Sequence, residues 1–352
     1  MEKIIYEDKS DDIVIQVTFE RPQEMIDMLD SILWGTNGPI YSKTGIAEKV
    51  HNTVQMHSIL LKKSGKIIGI CGLSERTVKV GKEWVSSHYV RNFSVDKAYQ
   101  GKGYSKLLMD NLKKYFTSIL PEPYIAYAFI EGSNVRSQKV ADFLGYPIVR
   151  KFDTTLFSRL FPKKYASARR ATKSDHENIK NHLNEFYKDY SFVQFYKTFY
   201  KDDYFVLEEN DDIIAGVQAF KVKWNVHSMK GFSGKIMMNV LPYIPIANRL
   251  FHPDFKFLVF DSMFCKAGKE KELLLLLEDV LNRFGDVYSG WVMLDQQAPL
   301  YQTLNKINKW GILNSIQAPF PAAVVMNVHG LSESVLEEAK NQPAYIAGFD
   351  CI

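Results

Sequence analysis

The residues best equipped for chemistry lie between Tyr89 and Phe116, in the run YVRNFSVDKAYQGKGYSKLLMDNLKKYF. Tyr89 to Val95 is rich in β-branched and aromatic residues, as a buried strand requires. Gln100-Gly101-Lys102-Gly103-Tyr104-Ser105 interrupts it, and Leu107, Leu108, Leu112 and Tyr115 then recur at helical spacing. A strand, a glycine loop and a helix in that order make an anion site. The first helical N–H groups have no partner within the helix, and the helix dipole adds positive potential there. Glycine lets the backbone approach a pyrophosphate with no Cβ in the way. Two familiar phosphate loops are excluded: no G-x-x-x-x-G-K-[ST] run occurs, and the residue three after Gly103 is Lys106 rather than glycine. What remains is Q/R-x-x-G-x-G/A, matched by Gln100, Gly103 and, with a serine in the last place, Ser105.

The elements that must position this loop follow from periodicity. Ile13 to Phe19 alternates as a strand, Glu24 to Leu33 has helical spacing, and Trp34 to Tyr41 breaks it with two glycines and Pro39. A second helix is expected over Ala47 to Met56. Ser58 to Arg76, turning at Ser64-Gly65, reads as a hairpin, and Gly81 turns the chain into the central strand. After the loop and its helix, Tyr124 to Ile130 reads as a strand, residues 134–144 as a helix, and Tyr146 to Phe157 as a last strand.

Val95-Asp96-Lys97-Ala98-Tyr99-Gln100-Gly101-Lys102-Gly103-Tyr104-Ser105 resembles motif A of the GNAT superfamily of acyl-CoA-dependent N-acyltransferases, roughly V-x-P-x-Y-Q-G-K-G-Y-G. Lys97 stands for the proline and Ser105 for the last small residue. Downstream, Asn134, Ser137, Val140, Gly145 and Tyr146 fall in register on motif B, N-x-x-A-x-x-L-Y-x-x-x-G-F. The resemblance covers residues from about 12 to 158. It implies an α/β fold of mixed, mostly antiparallel sheet, with a splayed central strand pair flanked by helices. It also implies acetyl-CoA, or another acyl-CoA, as co-substrate, with no metal. Gln100, Gly101, Lys102, Gly103, Tyr104 and Ser105 would hold the pyrophosphate. A backbone N–H within Phe93, Ser94 and Val95 would polarise the acyl carbonyl, and Asn134 would face the pantetheine or adenosine arm. The implied reaction is direct attack of an amine, on a small molecule or a peptide, in a ternary complex.

Two family positions depart. The tyrosine seven residues after the motif B asparagine is Ala141, and the acidic residue five before it is Phe129. Ser137 and Tyr146 are the remaining candidates for the acid that protonates the thiolate. On the central strand His88 has the ordinary pKa of a base near neutrality. Because a methyl group cannot donate a proton, a second reading stays open: an acyl-CoA-binding sensor or scaffold without turnover.

At 352 residues two domains are the default. From Ala168 the order repeats, with a second hairpin over 204–220, a central strand over 257–264, a helix over 269–284 and a last strand over 322–328, as an internal duplication would give. The expected organisation is a catalytic, acyl-CoA-binding domain over 1–158 and a basic linker over 159–168. A degenerate GNAT-like domain over 169–330 and a C-terminal helix and tail over 331–352 follow. The second copy has Lys266-Ala267-Gly268-Lys269-Glu270 where the glycine loop stood. A carboxylate there competes with phosphate for the same N–H groups, so this copy is expected to bind no CoA and to act as scaffold. A capping box of Ser334 and Glu337 is expected to open the last helix. The apolar tail from Pro343 to Ile352 is expected to dock on the protein, and its terminal carboxylate is a further candidate base.

A net charge of +4 is small for this length and points to neither nucleic acid nor an anionic membrane. Three scattered cysteines suggest neither a disulfide framework nor a metal site. The charged N-terminus lacks the apolar core of a signal peptide, and no apolar run approaches the length of a membrane span. A cytoplasmic protein is the expectation.

Overall fold

Apolar residues alternating along strand after strand assemble one mixed α/β sheet of fourteen strands in the computed structural model, which describes residues 2–35, 39–229 and 231–351. In chain order these are β1 (Lys3–Asp8), β2 (Ile13–Thr18), β3 (Ile40–Lys43), β4 (Met56–Lys63), β5 (Lys66–Val80), β6 (Glu83–Val95) and β7 (Tyr124–Glu131). The second set is β8 (Ile148–Ser158), β9 (Ala168–Arg170), β10 (Tyr204–Glu209), β11 (Asp212–Ser228), β12 (Asp254–Cys265), β13 (Ser289–Asp295) and β14 (Phe320–His329). The helices are α1 (Gln23–Asp30), α2 (Ile46–Asn52), α3 (Tyr104–Ser118), α4 (Val135–Leu144), α5 (His176–Phe186) and α6 (Gly231–Asn239). They continue with α7 (Glu270–Phe284), α8 (Pro299–Ile307), α9 (Ile312–Ile316), α10 (Glu333–Asn341) and α11 (Gly348–Cys351).

The sheet order is β1-β2-β4-β5-β6-β7-β14-β8-β13-β12-β11-β10-β9, with β3 pairing the far end of β11. Two halves therefore exchange their last strands. β14, from the second half, pairs with β7 of the first, while β8, from the first, pairs with β13 of the second. The two exchanged strands also pair with each other.

The duplication shows in a local irregularity present in both copies. Where β5 meets β6, Ile70 pairs with Ser94 and Gly72 with Arg91, so Asn92 and Phe93 oppose Cys71 alone. Where β11 meets β12, Gly216 pairs with Phe264 and Gln218 with Asp261, so Ser262 and Met263 oppose Val217 alone. Each bulge carries one non-glycine residue in the left-handed region, Asn92 at φ 55° and Ser262 at φ 45°. Each bulged strand is parallel to its next neighbour over one short stretch only, Ser87–Tyr89 on Ile125–Tyr127 and Leu258–Phe260 on Gly290–Val292. Beyond it the strands separate.

Helices α1 and α2 pack on one face of the first half, around Met25, Leu29, Val50 and Leu60. Helices α3 and α4 pack on the opposite face, around Leu108, Leu112, Phe116 and Leu144. In the second half α7 and α8 cover a core of Leu273, Leu277, Val280 and Leu304.

Some expectations differ from what is observed. Residues 177–200 read from the sequence as one aromatic helical region, but α5 stops at Phe186. The following aromatics, with Phe192 and Phe199 at positive φ, form a packed irregular segment in which Tyr187, Tyr190 and Phe192 are buried. Ile40 and Tyr41, read as the end of a break over 34–41, instead open β3, where Tyr41 stacks on Trp224 of β11, ring centroids 3.8 Å apart. Ser332 rather than Ser334 caps α10, its hydroxyl accepting from the Ser334 N–H at 3.3 Å. The basic stretch after β8 is held against α7: Arg159 pairs with Glu278 at 3.0 Å, and the Tyr165 N–H donates to Asp279 at 2.7 Å.

Candidate active site

The glycine loop leaves β6 through a short turn capped by Asp96, whose carboxylate accepts from the Ala98 N–H at 2.9 Å. The Gln100 side-chain amide donates back to the Val95 carbonyl at 2.9 Å and ties the loop to the strand end. Gly101 and Gly103 have φ of 78° and 86°, a region that other residues enter at a cost. A Cβ built on either would meet nothing within 4 Å, so the loop lines open space. Helix α3 has no side-chain cap. Its first bond runs from the Leu107 N–H to the Gly103 carbonyl, and the N–H groups of Tyr104, Ser105 and Lys106 precede the ladder. Lys102 lies over the Tyr99 ring and Lys63 over the Tyr104 ring, so cations border the loop. The structure thus brings Gln100 to Ser105 together with the bulge at Asn92–Phe93 and with Ser94 and Val95, which return to the ladder.

Across the split, Asn134 sits at the start of α4. Its side chain accepts from the Ser137 N–H at 3.1 Å, so the motif B asparagine is first a helix cap here. Ser137 is half-buried, while Ala141 is in the core.

His88 and Tyr146 are both buried. Tyr146 is 4% exposed and packs on Phe116 of α3; burial pushes its phenol well up, and its hydroxyl has no partner among the described residues. His88 is also 4% exposed, edge-on to Tyr124 and near His57. Burial lowers it to about 4, so it is neutral at pH 7. Adjacent strand residues face opposite ways, and Tyr89 is the one that points to the chain's end. Both are core residues on the α3 face, and this burial weighs against His88 as the base and favours Ser137 over Tyr146 as the acid.

What the sequence reading missed is a charged centre on the other face. The tail docks as expected, with Tyr345, Ile346 and Phe349 buried. Asp261 anchors it, accepting from the Tyr345 hydroxyl and from the Phe349 N–H at 3.3 Å. A Cβ at Gly348 would stand 2.6 Å from Val259, so only glycine lets α11 lie this close. Asp350 is thereby delivered to Arg76, which grips it with two nitrogens at 2.6 and 3.2 Å. The Tyr89 hydroxyl donates to the Asp350 carbonyl at 3.4 Å, and Arg91 stands 3.9 Å from the Asp350 carboxylate. The terminal carboxylate of Ile352 lies outside the described residues.

Beside this pair is a small cavity of about 20 Å³, the room of one water or one oxygen atom, between α1, α2 and the bulge. Trp34, Lys43, Lys49, Thr53, Arg91 and Asn92 contribute to its wall. Burial, reinforced by Arg91, brings Lys43 down to about 8 and Lys49 well below its ordinary value. A charged strand residue such as Arg76 or Arg91 was the available signal for this centre. Its partner stands 274 residues away from Arg76 in sequence.

Residues 26–146 match the acetyltransferase (GNAT) family. No curated protein matches the sequence. Among solved structures, Saccharomyces cerevisiae N-myristoyltransferase with bound myristoyl-CoA superposes with a TM-score of 0.51 at 10% identity, over 92% of this chain and 76% of that one. A second structure of the yeast enzyme with myristoyl-CoA gives 0.51 at 10% identity, over 97% and 79%. A GCN5-related N-acetyltransferase from Anabaena variabilis gives 0.49 at 9%, over 89% and 72%. The match to the acetyltransferase (GNAT) family thus falls on the first half of the chain, and the bulged and splayed strand pair found there occurs a second time in the same sheet.

Proposed function

We propose that this chain moves an acyl group, an acetyl group in the first instance, from acyl-CoA to the amine of a small molecule or peptide by direct attack in a ternary complex. The observation that carries this reading is the uncapped start of α3 behind Gly101 and Gly103, set beside the bulge where β6 leaves β7. In this reading the N–H groups of 101–105 bind the pyrophosphate, with Gln100 fixing the loop and Lys102 adding charge. A backbone donor within Phe93–Val95 meets the carbonyl oxygen as negative charge develops, a contribution worth ~3 kcal/mol. The amine nitrogen attacks the thioester carbon, the C–S bond breaks, the amine gives up a proton and the thiolate takes one. Ser137, half-buried at the start of α4 behind Asn134, is assigned as the donor to the thiolate.

We assign residues 1–158 to the CoA-binding unit, 159–168 to the connection, 169–330 to a unit that binds no CoA, and 331–352 to the tail. Each unit is completed by the other's last strand. No described helix is long and apolar enough to cross a membrane, and we place the protein in the cytoplasm, where acyl-CoA is made. The test is release of CoASH from acetyl-CoA and from longer acyl-CoAs with a panel of amines. Tight CoASH binding with no turnover of any amine would favour the sensor reading instead.

A further inference from the structure

We propose that the cavity beside the bulge recognises an anionic group, a carboxylate or a phosphate, on the acceptor amine; this rests on the acyltransferase reading above and names its acceptor class. The wall is built of donors. Lys43, Lys49 and Arg91 bring three cations to it, and the buried indole N–H of Trp34 and Nε of Arg91 have no partner among the described residues. Thr53 has committed its hydroxyl proton to the Lys49 carbonyl and accepts from Arg91 at 3.3 Å.

Charge is not balanced there by the described residues. Asp350 is occupied by both arms of Arg76 and stands 3.9 Å from Arg91. Neither Lys43 nor Lys49 has a carboxylate within ion-pair distance among the described residues; Lys43 lies over Trp34 at 4.4 Å and Lys49 over Phe349 at 5.9 Å. Lys43 and Lys49 are part-buried and Arg91 is buried; cations partly removed from water without counter-charge are costly, and the cost is relieved when an anion enters. Burial lowers both ammonium groups, in agreement with that picture.

The position suits an acceptor. Asn92 belongs both to the cavity wall and to the bulge, one residue from the segment assigned to the acyl carbonyl. The pyrophosphate loop lies beyond the other end of that segment, at residues 100–105, so the two anion sites are separate. An amine tethered to a carboxylate or phosphate would seat its anion among Lys43, Lys49 and Arg91 and leave its nitrogen facing the thioester.

The experiment uses the full chain and matched probes. Acetyl transfer is measured to glycine against glycinamide and to O-phosphoethanolamine against ethanolamine, in the parent and in Lys43→Met and Lys49→Met. The expected result is at least tenfold higher kcat/KM for an anionic member. Each variant should erase that preference by raising KM for the anionic amine, with KM for acetyl-CoA unchanged. Equal use of the neutral members, or a preference that survives in both variants, overturns the proposal. Should none of the four be acetylated, melting of the CoASH-saturated chain with succinate and with succinamide decides. Stabilisation by succinate alone, lost in the variants, supports the anion site, and an equal response in parent and variants overturns it. Succinate binding that emerges only after Ile352 is deleted also overturns it, because the chain's own terminus would then be the occupant. The melt does not depend on turnover, and the reading on which the proposal rests fails separately, by absence of CoASH binding.

Discussion

At Gly103 the local backbone and the ligand make different demands, and one substitution separates them. Nothing in the protein lies within 4 Å of a Cβ there, so Gly103→Val meets only the backbone penalty of a left-handed φ, about 1–2 kcal/mol. The chain should fold and lose at least tenfold in CoASH affinity by calorimetry; unchanged affinity would remove the loop from the site. His88 makes the complementary case. Its native pKa of about 4 lies below the ordinary 6.5, so the unfolded chain binds more protons between those values. Stability from the neutral ring is complete above pH 6.5 and is lost as pH falls toward 4, by up to about 3 kcal/mol. His88→Gln should flatten that slope in urea melts while kcat stays within about threefold, whereas a catalytic base would lose about 10² or more. The glycine loop was legible because left-handed glycines before a helix are a local pattern. The Arg76–Asp350 pair was not, since nothing near either residue names its partner.

Among the elements, α11 depends most on distant contacts. It is one turn long and could not persist alone. It is held by Phe349 in the apolar core, by Asp261 on its backbone and by Arg76 on Asp350. Removing one member of a buried ion pair leaves the other charge uncompensated, so Arg76→Met or Asp350→Leu should each destabilise by about 3–5 kcal/mol. The double variant should recover most of that loss in denaturant melts; additive losses would show that the two residues act independently. Strands such as β4 and β5 were legible from alternation and a two-residue turn. The segment after α5 was not, because its aromatics carry a helix-like density of apolar residues while left-handed backbone at Phe192 and Phe199 directs them into a packed loop.

For the whole molecule, the exchanged strands decide what counts as a folding unit. Without β14, β7 would present an open apolar edge, and without β8 so would β13. Residues 1–158 expressed alone should therefore aggregate or stay unfolded by circular dichroism and size exclusion, as should residues 169–330, while the two co-expressed halves should associate. A soluble, monomeric 1–158 would contradict the exchange. One CoASH per chain is expected by calorimetry, because Glu270 occupies the second loop, accepting from the Gly268 N–H at 3.3 Å. Two per chain would show a second site. The duplication was legible in the order of elements. The exchange was not, since a strand's pattern records which faces are covered and not which neighbour supplies the hydrogen bonds.

The position of β14 also sets the order in which the protein can mature on the ribosome. Domains generally fold in turn as they emerge, the first before the last is made. Here the first half waits for a strand encoded after almost all of the second half, and its charged centre waits longer still, for Asp350. A nascent chain stalled before residue 320 would remain open to protease across both halves. On the proposed function, synthesis interrupted at that point should release no fragment able to bind CoA.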